Sequence, residues 1–107
     1  LDLVEIESGD ALFNPYPFDA KPYIKITGSG TISLSISNSK GTKIYRFENV
    51  DGYVECDSEL MNCYKDTVLK NNDFYADDFP LLISEDNIIG WSGTVSKVEM
   101  IARWNCL

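Results

Sequence analysis

Alternation of apolar and polar residues dominates this chain. In Thr31-Ile32-Ser33-Leu34-Ser35-Ile36-Ser37 every second residue is apolar, the period of a strand with one buried face. Tyr23-Ile24-Lys25-Ile26-Thr27 carries the same pattern just before it. Gly28-Ser29-Gly30 between the two offers the positive-φ positions of a tight reversal, so 23–27 and 31–37 are expected to pair as a hairpin. Asn38-Ser39-Lys40-Gly41 is a second turn, leading to a strand Lys43–Phe47 whose buried face the pattern leaves open. Asn49-Val50-Asp51-Gly52 breaks the chain again. Tyr53–Asp57 and Leu60–Tyr64 then predict a hairpin around Asp57-Ser58-Glu59.

Residues 65–79 hold Lys70-Asn71-Asn72-Asp73 and Ala76-Asp77-Asp78 without an apolar period, and read as a surface loop. Phe79–Ile83 follows as a short strand, Ser84-Glu85-Asp86 as a turn, Asn87–Trp91 as a strand and Ser92-Gly93-Thr94 as a reversal. The last strand sets Val98, Met100, Ala102 and Trp104 on a core face against Lys97, Glu99, Ile101 and Arg103. No helical period competes. Many short strands, each with one apolar face to cover, predict an all-β fold. The expected form is an antiparallel two-sheet β-sandwich in one domain, residues 1–107.

Composition narrows the function. The 107 residues are 44% hydrophobic, enough for one core. Nine basic residues against 17 acidic give a net charge of −8, a field that repels phosphate backbones, so nucleic acid is not an expected partner. The longest apolar run, Leu81-Leu82-Ile83, is far short of the roughly 20 residues of a spanning helix, so no membrane is expected either. The chain starts at Leu1 with no signal-like segment, and it reads as a domain excised from a longer protein. Cys56, Cys63 and Cys106 are odd in number. Cys56 and Cys63 are positioned to face each other across a hairpin, but the expectation is three free, mostly buried thiols made in a reducing compartment.

Catalytic chemistry has little to work with. Histidine is absent, which removes the usual general base and any Ser/His or Cys/His pair. No catalytic residue and no enzymatic activity are expected. Asp73, Asp77, Asp78, Glu85 and Asp86 supply oxygen ligands of the kind calcium takes, yet match no EF-hand spacing and read as a solvated acidic loop. Three thiolates without a CxxC pair do not build a zinc site. No cofactor or metal follows. The aromatic residues remain: Trp91 and Trp104 are expected to be buried, whereas Tyr16, Tyr23, Tyr53 and Tyr75 are the candidates for surface contacts.

Five segments in order carry a resemblance: Pro22–Gly30, Gly52–Ser58, Asp78–Leu82, Asn87–Gly93 and Val98–Trp104. Together they resemble the C-terminal domain of siphophage distal tail proteins, tail components also found in prophages of Gram-positive bacteria, over most of the chain. Departures are Ser84-Glu85, where that family favours Pro-Gly, Ala102, where Pro is usual, and Cys106. The resemblance implies a galectin-like or carbohydrate-module-like sandwich on the outside of a homo-hexameric ring formed by a separate N-terminal domain. It implies a virion tail-tip location after synthesis in the host cytoplasm. Its implied partners are other tail proteins: a receptor-binding or fibre protein, the tape measure and the tail tube. A non-catalytic carbohydrate-binding module is the alternative.

Overall fold

A strand of 16 residues drawn out straight would run about 53 Å, but the longest extent of the molecule is 35 Å. The computed structural model, which describes residues 3–104, resolves this by bending its strands. The elements are β1 (Val4–Ile6), β2 (Ala11–Asn14), β3 (Tyr23–Asn38), β4 (Gly41–Asp57), β5 (Asn62–Lys65), β6 (Val68–Leu69), a 3-10 turn (Asn71–Asp73), β7 (Phe74–Tyr75) and β8 (Glu85–Ile101). They join into one eight-stranded antiparallel sheet in the order β1-β8-β3-β4-β5-β6, with β2 paired to β8 and β7 to β4. The all-β expectation holds.

The expected reversals at Gly28–Gly30 and Ser92–Thr94 and the expected break at Asn49–Gly52 do not occur. Each lies inside a continuous strand, and the register brings them together: Gly28 faces Gly52 on β4 and Val95 on β8, and Ser29 faces Asp51 and Thr94. This line is the bend. β3 and β8 approach so closely there that a Cβ on Gly28 would run into the Thr94 carbonyl oxygen. Gly93, at φ +108°, would carry a Cβ 2.5 Å from the Thr31 oxygen. Only glycine fits either position. A positive-φ residue serves a bulge as well as a turn, which is why these clusters looked like chain reversals.

Bulges at the bend also shift the alternation. On β4 Tyr45 and Phe47 are buried before it and Val50, Val54 and Cys56 after it, because Glu48 and Asn49 together oppose the single residue Thr31 and Asn49 takes φ 56°. This change of phase is why the buried face of 43–47 was not legible. β8 shifts likewise at Ser96, with Ile89 buried on one side and Val98 and Met100 on the other. Ile24, Ile26, Val54 and Met100 from one half and Ile32, Leu34, Phe47 and Ile89 from the other therefore meet in a single cluster. Burying such side chains contributes about 1.5–3 kcal/mol each.

Further corrections concern the connections. The stretch 65–79 holds β6, the 3-10 turn and β7 rather than one loop. Phe74 anchors it to the core, its ring 5.1 Å from Phe47 and 5.0 Å from Phe79. In place of a strand at 79–83 there is one bridge, Ala20 to Leu82, and Glu85 and Asp86 already belong to β8 rather than to a turn. Asn87, fully buried, holds that region: its amide donates to the Ile83 carbonyl at 2.9 Å and its oxygen accepts the Ile83 N–H at 2.9 Å. The turn at 38–41 forms as expected, and so does the hairpin after Asp57, though its return strand starts at Asn62 rather than Leu60. Trp91 is half-buried against the core, but Trp104 is exposed, because β8 ends at Ile101 before reaching it.

Candidate functional site

Alternation fixes what the outer face of the sheet displays. With Ile24 and Ile26 turned inward, β3 presents Tyr23, Lys25 and Thr27; with Val54 and Cys56 inward, β4 presents Tyr53 and Glu55. Register sets Lys25 opposite Glu55 and Thr27 opposite Tyr53, so tyrosines and charges meet on the diagonals. The Tyr23 hydroxyl donates to Glu55 Oε1 at 2.5 Å, and the other Glu55 oxygen accepts the Asp66 N–H at 3.1 Å. The Tyr53 hydroxyl donates to the Asp66 carboxylate. Lys25 Nζ sits 4.6 Å and Lys65 Nζ 5.1 Å from the Tyr53 ring centroid, near enough for cation–π attraction. Lys65 also donates to the Asp51 carbonyl at 2.5 Å.

The turn after β5 builds this arrangement. Asp66 adopts φ 55°, a conformation that Asp tolerates better than most residues, and so carries its carboxylate back over β4. The electrostatic result is a set of phenols kept neutral. The hydrogen bond to Asp66, more than burial or nearby carboxylates, pushes Tyr53 up to about 12. Burial, then the hydrogen bond to Glu55, lifts Tyr23 well above the ordinary phenol value. Burial also raises Tyr64, which lies opposite Glu55.

Of the four expected contact residues, only Tyr23 and Tyr53 share this face. Tyr16 is half-buried after β2, its N–H donating to Asn14 Oδ1 at 3.0 Å. Tyr75 lies on the other half of the sheet, exposed, with the Arg46 guanidinium 4.6 Å from its ring centroid. Lys25, Glu55, Lys65 and Asp66 were not singled out from the sequence. The alternation did assign Lys25 and Glu55 to the polar side, but an expected pairing of 23–27 with 31–37 kept β3 from its true partner at 53–57.

The acidic residues weighed as calcium ligands disperse. Asp73 accepts a hydrogen bond from Asn49 at 3.0 Å and Asp78 caps the Phe79 N–H at 2.8 Å. Asp77 and Asp78 line a groove of about 560 Å³ shared with Lys40 and Lys43. Among the described residues no three metal-ligating side chains converge. Cys56 and Cys63 are buried free thiols, and Cys106 lies outside the described residues. In comparisons with family models, curated proteins and solved structures, nothing matched this chain.

Proposed function

We propose that this chain is a peripheral lobe of a phage or prophage tail tip, the C-terminal domain of a distal tail protein, and that it docks a host-adhesion protein. In this reading the bent sheet is a galectin-like sandwich whose two layers share their long strands. The observation that carries the reading is where the resembling segments fall: Pro22–Gly30, Gly52–Ser58 and Asn87–Gly93 contain the glycines of the bend, and Val98–Trp104 finishes the strand beside it. Likeness to the family thus lies in the residues that fold the sheet.

The docking half of the proposal is supported by the face of Tyr23, Lys25, Tyr53 and Glu55. Protein interfaces favour tyrosine and arranged charge, and side chains already held by hydrogen bonds lose little freedom when a partner arrives. A sugar platform wants an uncovered aromatic face, whereas both ammonium groups already lie over Tyr53. The proposal is tested by imaging tails built with and without this lobe, and with Tyr53→Ala and Lys25→Glu together. Loss of adhesion proteins from the variant tails is the expected result. Full decoration and normal infection without the lobe would overturn it, as would tight binding of a cell-wall glycan by the isolated chain.

A further inference from the structure

Cys56 and Cys63 are direct cross-strand partners on β4 and β5, with Sγ atoms 3.1 Å apart and essentially no exposure. The kind of pair matters as much as the distance. The Cys63 N–H donates to Asn71 Oδ1 at 2.6 Å and its carbonyl accepts the Lys70 N–H at 2.7 Å. Both of its backbone groups therefore point away from β4. Cys56 and Cys63 form a non-hydrogen-bonded pair, the class in which Cα atoms stand about 4.5 Å apart and side chains lie closest. That spacing falls inside the range a disulfide accepts, about 4.4–6.8 Å between Cα atoms.

We infer that Cys56 and Cys63 form a redox-responsive staple, reduced as described above and closed into a cross-strand disulfide by a small-molecule disulfide such as oxidised glutathione. One thiol, as thiolate, attacks the glutathione disulfide and expels one glutathione thiolate. The second then attacks the protein sulfur of the mixed disulfide and expels the other glutathione. Two cysteine hydrogens end on two glutathione thiols, so two electrons leave the protein and reduce the oxidant. The hydrogen bond between the thiols, and after it burial, hold Cys56 protonated at neutral pH, so the pair acts as a structural reserve rather than a catalytic dithiol. Oxidant gains entry when the short β5–β6 end of the sheet opens locally. Once closed, the bond fixes β5, and with it the exposed Val68 and Leu69 of neighbouring β6, to the central sheet. The inference stands independently of the tail-tip proposal.

The test uses the full chain with Cys106→Ser, refolded from the reduced, denatured state in a glutathione buffer of oxidising poise, so that access to buried thiols is not limiting. Alkylation in denaturant with peptide mass mapping should then find no free thiol and one link joining Cys56 to Cys63. The oxidised chain should melt roughly 5–10 °C above the same chain kept in reductant. Cys63→Ala, whose chain has no partner thiol for Cys56, should show no link and no oxidant-dependent shift. Alkylation of both thiols in denaturant, after refolding in the oxidising buffer, would overturn the inference. So would a link that lowers the melting temperature.

Discussion

Arg103 grips Asp57 with both ends of its guanidinium, Nη1 to Oδ1 at 2.6 Å and Nη2 to Oδ2 at 3.0 Å. The contact ties the chain just beyond β8 to the β4–β5 hairpin. Asp57 is nearly buried, and its Oδ1 also accepts the N–H groups of Glu59 and Leu60 at 3.1 and 3.2 Å. The Arg103 hydrogen bonds, opposed in part by burial, hold its carboxyl below the ordinary range. Asp57→Asn should cost about 2–3 kcal/mol, since it takes the bidentate counter-charge from a partly buried guanidinium and leaves it only Glu59, at 3.6 Å. Because the folded pKa lies below the unfolded one, this contribution is complete above the unfolded value of about 3.9 and fades as pH falls through the folded value. Denaturant melts across the acid range should show the variant losing less stability than the parent as pH drops below that point.

The bend line predicts a second outcome. Gly93→Ala places a Cβ at φ +108° and 2.5 Å from the Thr31 oxygen, so it should destabilise by about 2–4 kcal/mol. Ser92→Ala, one residue away and exposed, should change stability by no more than about 0.5 kcal/mol. Equal melting curves for the two variants would mean that β3 and β8 do not meet as described.

Titration of the phenols checks the candidate face. Tyr53 should ionise near 12 and Tyr23 well above the ordinary value, both later than a free phenol at about 10. Since folding raises these values, the stability they confer is whole below the unfolded pKa and is lost as pH rises through the folded one. Asp66→Asn removes the anionic acceptor and should bring Tyr53 back toward about 10. Ultraviolet absorbance against pH, with Tyr53→Phe to identify the step, reads this directly.

Trp104 supplies a fourth prediction. It is exposed beyond the end of β8, unlike the half-buried Trp91. Acrylamide should quench Trp104 emission readily and Trp91 emission poorly, resolved with single Trp→Phe variants. Trp104→Ala should alter stability by less than about 1 kcal/mol, against the 3–5 kcal/mol typical of a buried Trp.

The β character of the chain and the inward side of most strand segments were legible in the sequence. Ile24, Ile26, Ile32, Leu34 and Ile36 keep a period of two through the whole of β3, and Val98 and Met100 keep it at the end of β8. A strand with one buried face leaves that mark in residue order alone, because successive side chains point to opposite sides. The hairpin around Asp57 was legible for the same reason.

Tertiary structure alone decided whether the chain turned back at its glycines. A positive-φ residue satisfies a hairpin turn and a bulge at similar local energy, so Gly28-Ser29-Gly30 and Ser92-Gly93-Thr94 are locally ambiguous. What selects between the two is which distant strand takes up the neighbouring backbone N–H and carbonyl groups. Here 23–29 pairs with 51–57 and 94–101 rather than with 31–37. That long-range choice, together with the extra residues at Glu48-Asn49 and Ser96, bends one sheet around a single core. It also set Tyr23 beside Glu55, a pairing 32 residues apart in the chain that the alternation pattern does not specify, whereas Cys56 against Cys63 follows from the local hairpin.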